Sequence, residues 1–134
     1  MAPAAALAAA GGRAAKDAVE AAGAGDIVIT MLPAGPHVRQ VYLGPDGIIA
    51  RAKPGALLID CSTIDVETAR LVAAEAAKAG FAMLDAPVSG GVIGAEAANL
   101  TFMVGGDAAA FARGEPILKA MGRTVVHAGP SGAG

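Results

Sequence analysis

The sequence predicts an α/β fold with a mostly parallel sheet, and three observations lead there. Short apolar runs alternate with stretches of helical pattern. The runs are apolar at successive positions, which suits strands of a parallel sheet covered on both faces. One pair of runs encloses a helical stretch long enough for a parallel crossover.

The opening "MAPAAALAAAGG" is apolar, but no basic residue precedes its apolar stretch. It reads as part of an amphipathic helix rather than as a signal peptide. "DIVITML" (Asp26 to Leu32) is the first strand, and it exits into the rigid turn Leu32-Pro33-Ala34-Gly35-Pro36. "PHVRQVYL" (Pro36 to Leu43) is a short helix, followed by a Pro-Asp-Gly turn at Pro45 to Gly47. "ALLIDC" (Ala56 to Cys61) and "FAMLD" (Phe81 to Asp85) are the second and third strands. Between them Val66, Ala69, Val72, Ala73 and Ala76 share a helical face. Ser62 with Asp65 has capping-box spacing at the start of that helix, and Gly80 ends it. "LTFMV" and "TVVH" are two further strands. The helix between them, "DAAAFARGEPILKAM", should split or kink at Gly114 and Pro116. Phe81, Met83, Phe102 and Met103 are expected in the core.

The chain has 134 residues, which suits one domain. It is 54% hydrophobic, largely through alanine, and only 3% aromatic, so its elements should pack closely. With 16% charged residues and a net charge of −2, it has no electrostatic footprint for nucleic acid or an anionic membrane. Mean hydropathy is +0.55, yet charges interrupt every stretch long enough to span a bilayer. The single Cys61 excludes an internal disulfide and fits a reducing compartment.

Ligands of open parallel sheets bind beyond the carboxyl ends of the strands. Here those ends are Leu32 to Pro36, then Asp60-Cys61-Ser62-Thr63, then Asp85-Ala-Pro-Val-Ser-Gly-Gly91. Side by side they would line a crevice with an apolar wall, two hydroxyls and open backbone, suited to a planar cofactor and a small oxygen-bearing substrate. Plainer readings stand beside this one. Gly90-Gly91 can be an ordinary turn, Ser62 a helix cap, and Asp85 an acceptor for neighbouring amides. Cys61 fits a small buried apolar residue better than a nucleophile. His37 and His127 are isolated, with no metal-ligand spacing around them. Ser89, Asp107 and His127 follow the order of an α/β-hydrolase triad, but Pro87 stands where the nucleophile elbow needs glycine.

"DIVITMLP", "LLIDCSTID" and "LDAPVSGGVIGAEAANLTFMVGG" together resemble the β-hydroxyacid dehydrogenases, in order and spacing, from about Ala4 to Gly134. "ITMLP" with "IDCSTID" is most similar to the branch that acts on 3-hydroxyisobutyrate. The resemblance implies a Rossmann-like domain that binds NAD or NADP, and a small hydroxy-acid substrate. The reaction it implies is oxidation of 3-hydroxyisobutyrate to methylmalonate semialdehyde, in valine breakdown. Tartronate semialdehyde reduction and a non-catalytic nucleotide-binding module are the alternatives. Carried over by position, Leu32 and Pro33 lie against the cofactor with His37 close by, and Thr63 contacts its nicotinamide half. Ser89, Gly90 and Gly91 bind the substrate: the glycines let its carboxylate reach the backbone, and Ser89 gives a hydroxyl.

The family's first strand and its G-x-G-x-x-G fingerprint have no counterpart in these residues. Its catalytic lysine would fall just beyond Gly134. The resemblance therefore implies that residues 1–134 are a partial NAD(P)-binding domain, truncated at the N-terminus and lacking the C-terminal helical domain. The complete enzyme would be a cytoplasmic homo-oligomer. The piece alone is expected to be poorly stable and inactive, with "DIVITML" left along an open edge.

Overall fold

The sheet is ordered by a parallel core of three strands. In the computed structural model of the chain, which describes residues 9, 11–12, 23, 25–32, 34–43 and 47–134, these are β1 (Ile27–Thr30), β2 (Leu57–Asp60) and β3 (Ala82–Asp85). They pair side by side, with Ile29 opposite Ile59 and Ile59 opposite Leu84. The opening helix and the turn residues Pro45 and Asp46 lie outside the described residues.

After β3 the chain breaks at Ala86-Pro87 and resumes as β4 (Val88–Ser89). Both strands run antiparallel to β5 (Leu100–Gly105) in one continuous register: Asp85 opposite Gly105, Val88 opposite Phe102, Ser89 opposite Thr101. On its other side β5 pairs in parallel with β6 (Gly122–Gly129). The expected mostly parallel sheet thus takes a short antiparallel insert at the third strand's end.

Helices cover both faces. On one lie α1 (Gly35–Tyr42), α2 (Ile48–Arg51) and α3 (Val66–Lys78), where Val38, Tyr42, Ile48, Val72 and Ala76 pack on Val28, Leu58 and Met83. On the other lies α5 (Ala108–Met121), whose Ala110 and Leu118 join Leu57, Ile59, Leu84, Phe102 and Val104. A short α4 (Gly91–Glu96) follows β4. Alternation along each strand divides these two cores.

Several expectations are corrected. β1 is not covered on both faces: Val28 is buried, while Ile27, Ile29 and Met31 are 38%, 43% and 63% exposed. Among the described residues no helix packs on that side of β1, and β2 is its one partner strand. Met103 is exposed, because Phe102 and Val104 on either side of it take the α5 face. The cap of α3 is Asp65, which accepts bonds from Thr68 N and Thr68 Oγ1, both at 2.9 Å. Those bonds, the backbone one foremost, with Arg39 adding to them, hold the Asp65 carboxyl below the usual carboxylate range. Ser62 is used elsewhere. The short α2 and α4 carry too little periodicity for the sequence to announce them.

Nor is α5 split. It runs through Pro116, because Ala110, Gly114 and Leu118 form one buried stripe at four-residue spacing. A proline inside a helix costs about 3 kcal/mol, and burial of Leu118, the one large side chain of the stripe, offsets about 1.5–3 kcal/mol of it. Gly114 is a contact glycine rather than a breaker: a Cβ there would stand 2.5 Å from Leu84 Cδ1. Gly114→Val should therefore lower stability by about 2 kcal/mol through overpacking. Urea unfolding checks this, as a lower midpoint at unchanged slope; an unchanged midpoint contradicts the close α5–β3 contact.

Candidate functional site

The carboxyl ends of β1 and β2 are joined through one buried side chain. Asp60, 2% exposed, closes β2. Its Oδ1 accepts from Thr30 Oγ1 at 2.9 Å, from Ser62 Oγ at 2.6 Å and from Ser62 N at 3.2 Å. The Thr30 hydroxyl uses its hydrogen in the bond to Asp60, so the Tyr42 hydroxyl donates to Thr30 Oγ1, at 2.6 Å. Ser62 Oγ in turn accepts from Leu32 N at 2.7 Å. Burial, the largest influence, drives the Tyr42 phenol far above its ordinary pKa, which keeps it a neutral donor. A buried carboxylate needs such donors, since burying a charge without them is costly. The chain of bonds fixes the loop after β1 against the loop after β2.

The expected site residues fall around these loops. Leu32 is half-buried, with its backbone N–H taken by Ser62. Pro33 lies outside the described residues. His37 is exposed in the first turn of α1. Thr63 is exposed, one residue beyond Ser62. Ser89 is exposed at the end of β4. Gly90 has φ +129°, where a side chain would be strained, and a Cβ there would come 3.1 Å from Leu100 Cδ2. Gly91 begins α4. The glycine pair therefore makes a turn in which Gly90 O accepts from Gly94 N at 3.0 Å, and the turn leaves the Ser89 side chain exposed.

All three strand ends border one cleft of about 420 Å³, through Met31, Cys61 and Val88. Ile29, Ala95, Leu100, Phe102 and Met121 complete its lining. The apolar wall is present, but the hydroxyls are not on it. Ser62 is turned into the Asp60 network, and Thr63 and Ser89 sit beside the lining residues rather than among them. The sequence pattern carried no signal for the Asp60–Thr30–Tyr42 linkage, which joins residues far apart in the chain.

Cys61 is buried, as its composition-based reading has it. Asp85 accepts amides, but not its neighbours': they belong to Gly132 and Gly134. The hydrolase order dissolves in three dimensions. Asp107 caps α5 through Ala110 N, and His127 bonds Gly106 O and stacks on Phe111 at 4.6 Å. Among the described residues no three His, Cys, Asp or Glu side chains converge as metal ligands, and no helix is long and apolar enough to cross a membrane.

Residues 1–129 match the family model described as the NAD binding domain of 6-phosphogluconate dehydrogenase. The chain is 54% identical over 128 residues to the NAD-dependent L-serine dehydrogenase of Pseudomonas aeruginosa, covering 96% of this chain and 43% of that protein. It is 55% identical over 124 residues to the 3-hydroxyisobutyrate dehydrogenase of the same organism, covering 92% and 42%. A solved structure of Mycobacterium tuberculosis 3-hydroxyisobutyrate dehydrogenase with L-serine superposes with a TM-score of 0.87 at 51% identity, over 95% of this chain and 43% of that one. The fold is thus Rossmann-like, and the chain spans under half the length of the curated relatives it matches.

Cys61 gives this geometry a pH signature. Burial first, and then the charge of Asp60, push its thiol from 9.0 to about 12. The unfolded chain releases this proton first, so the stability linked to it is full below pH 9 and is lost as pH rises toward 12. At pH 8 the folded chain should carry about a thousandfold less thiolate than the unfolded one, and alkylate correspondingly more slowly. Equal alkylation rates in buffer and in urea would contradict the buried placement.

Proposed function

Because the chain belongs to the family of the NAD binding domain of 6-phosphogluconate dehydrogenase, we propose that it is the nucleotide-binding part of an NAD(P)-dependent oxidoreductase that oxidises 3-hydroxyisobutyrate to methylmalonate semialdehyde. The complete enzyme is a cytoplasmic homo-oligomer in valine breakdown. One observation supports this reading: Ser62 Oγ bonds both Asp60 and Leu32 N, which ties the loop leading to Thr63 to the loop after β1, and Val88, next to Ser89, lines the cleft that Met31 and Cys61 border.

The residues described fit the nicotinamide half of the cofactor: Leu32 offers a half-buried apolar side chain, His37 is exposed in the first turn of α1, and Thr63 offers an exposed hydroxyl. A bound nicotinamide supplies the hydride acceptor for the hydroxyl-bearing carbon. Ser89 donates its hydroxyl to the substrate. The backbone at Gly90 and Gly91 takes the substrate carboxylate, in a turn where a side chain at Gly90 would be strained. The proton leaving the substrate hydroxyl goes to the lysine that family resemblance puts after Gly134.

L-Serine is a second substrate candidate, favoured by the relative named for it and by the L-serine in the superposed structure. Both molecules are 3-hydroxypropanoates with a small substituent on C2. The site residues named here meet what the two share.

The test is to express the chain together with the reading frame that flanks it, and to assay 3-hydroxyisobutyrate, L-serine and tartronate semialdehyde with NAD and NADP couples. Ser89→Ala should raise KM for the hydroxy acid about tenfold, the value of one lost hydrogen bond to a charged partner, and leave KM for the nucleotide unchanged. A rise confined to the nucleotide overturns the assignment of Ser89.

A further inference from the structure

We propose that Asp85 is a positioning residue, whose carboxylate ties the glycine segment Pro130–Gly134 to the root of the substrate loop; the proposal rests on reading Ser89–Gly91 as that loop. Asp85 closes β3 and is buried. Its two oxygens are used separately. Oδ1 accepts from Gly132 N at 2.8 Å, and Oδ2 accepts from Gly134 N at 2.9 Å. An aspartate that merely tidied a strand end would bond amides of its own loop. These amides lie 47 and 49 residues further along the chain.

The surroundings are shaped to admit this contact. A Cβ on Gly105, the β5 residue opposite Asp85, would lie 2.5 and 2.7 Å from the carboxylate oxygens. A Cβ on Gly134 would lie 2.5 Å from the carbonyl oxygens of both Asp85 and Met103. Gly132 has φ +92°, which turns its N–H in a backbone conformation that other residues rarely adopt.

The other end of the linkage is equally fixed. Directly after Asp85, Ala86 N donates to Asp60 O at 2.8 Å, and Pro87 O accepts from Met103 N at 3.2 Å. A cavity of about 20 Å³ brings Ser62, Asp85, Pro87, Gly132 and Gly134 to one place. The backbone after Asp85 and the backbone of Gly132–Gly134 are therefore tied at one place. Charge-assisted bonds to two separate amides set both the position and the direction of the glycine segment.

The test is amide hydrogen exchange by NMR on the chain expressed with its flanking reading frame, with Asp85→Ala and Asp85→Asn beside it. Gly132 and Gly134 should be protected in the unsubstituted chain. Asp85→Ala should speed exchange at both by about tenfold or more, with Leu58, Ile59 and Leu84 unchanged. Asp85→Asn has one acceptor oxygen and should protect one glycine while releasing the other. It also carries the test if the alanine variant fails to fold. Free exchange of both glycines in the unsubstituted chain overturns the proposal, as does an Asp85→Asn variant that treats both glycines alike. Amide shifts at Ser89–Gly91 on adding 3-hydroxyisobutyrate with NAD to the chain expressed with its flanking reading frame read the loop assignment separately, so its failure is distinguishable from failure of the clasp.

Discussion

A carboxylate buried where two parallel strands end is the constraint on which this structure depends. Removing Asp60 from water has a cost of several kcal/mol unless donors replace the lost hydration. Thr30 and Ser62 replace it, and each can do so only from its own place: one at the end of β1, the other just past β2. The requirement propagates outward. Thr30 needs a donor for its own oxygen, which Tyr42 supplies from the last turn of α1, and Ser62 offers its oxygen to Leu32 N. One charge thus sets the seating of a helix and the relation between two loops.

Asp85 repeats the arrangement on the next strand. It is the register partner of Asp60, so the two carboxylates close adjacent strands at the same level. Asp60 gathers side chains and a loop that are early in the chain, whereas Asp85 gathers backbone from its far end. Between them they hold the loops that border the cleft. The cleft itself is lined by apolar side chains, and Ser62, Thr63 and Ser89 lie outside that lining.

The sequence exposes most of this architecture and little of its wiring. Strands and the long crossover helix are legible because apolar periodicity and glycine punctuation are local, as at Leu57–Asp60, Val66–Lys78 and Ala82–Asp85. Met103 misleads because hydrophobicity does not say which face of a strand an element will cover. Ser62 misleads because its spacing to Asp65 fits a cap, while a stronger acceptor sits two residues before it. Gly114 misleads because a glycine that removes a clash looks the same in sequence as one that ends a helix. The proposed site residues rest on family resemblance alone. The bonds from Leu32 to Ser62 and from Gly132 and Gly134 to Asp85 join positions 30 to 49 residues apart, beyond the reach of any local pattern.

A double-mutant cycle between Thr30 and Ser62 measures the central constraint most directly. Thr30→Val, Ser62→Ala and the double variant would be unfolded in urea alongside the parent chain. If both hydroxyls act through the one Asp60 carboxylate, their effects should couple by about 1 kcal/mol or more. If the two losses add to within about 0.5 kcal/mol, the residues act independently, and Asp60 does not join the strand ends.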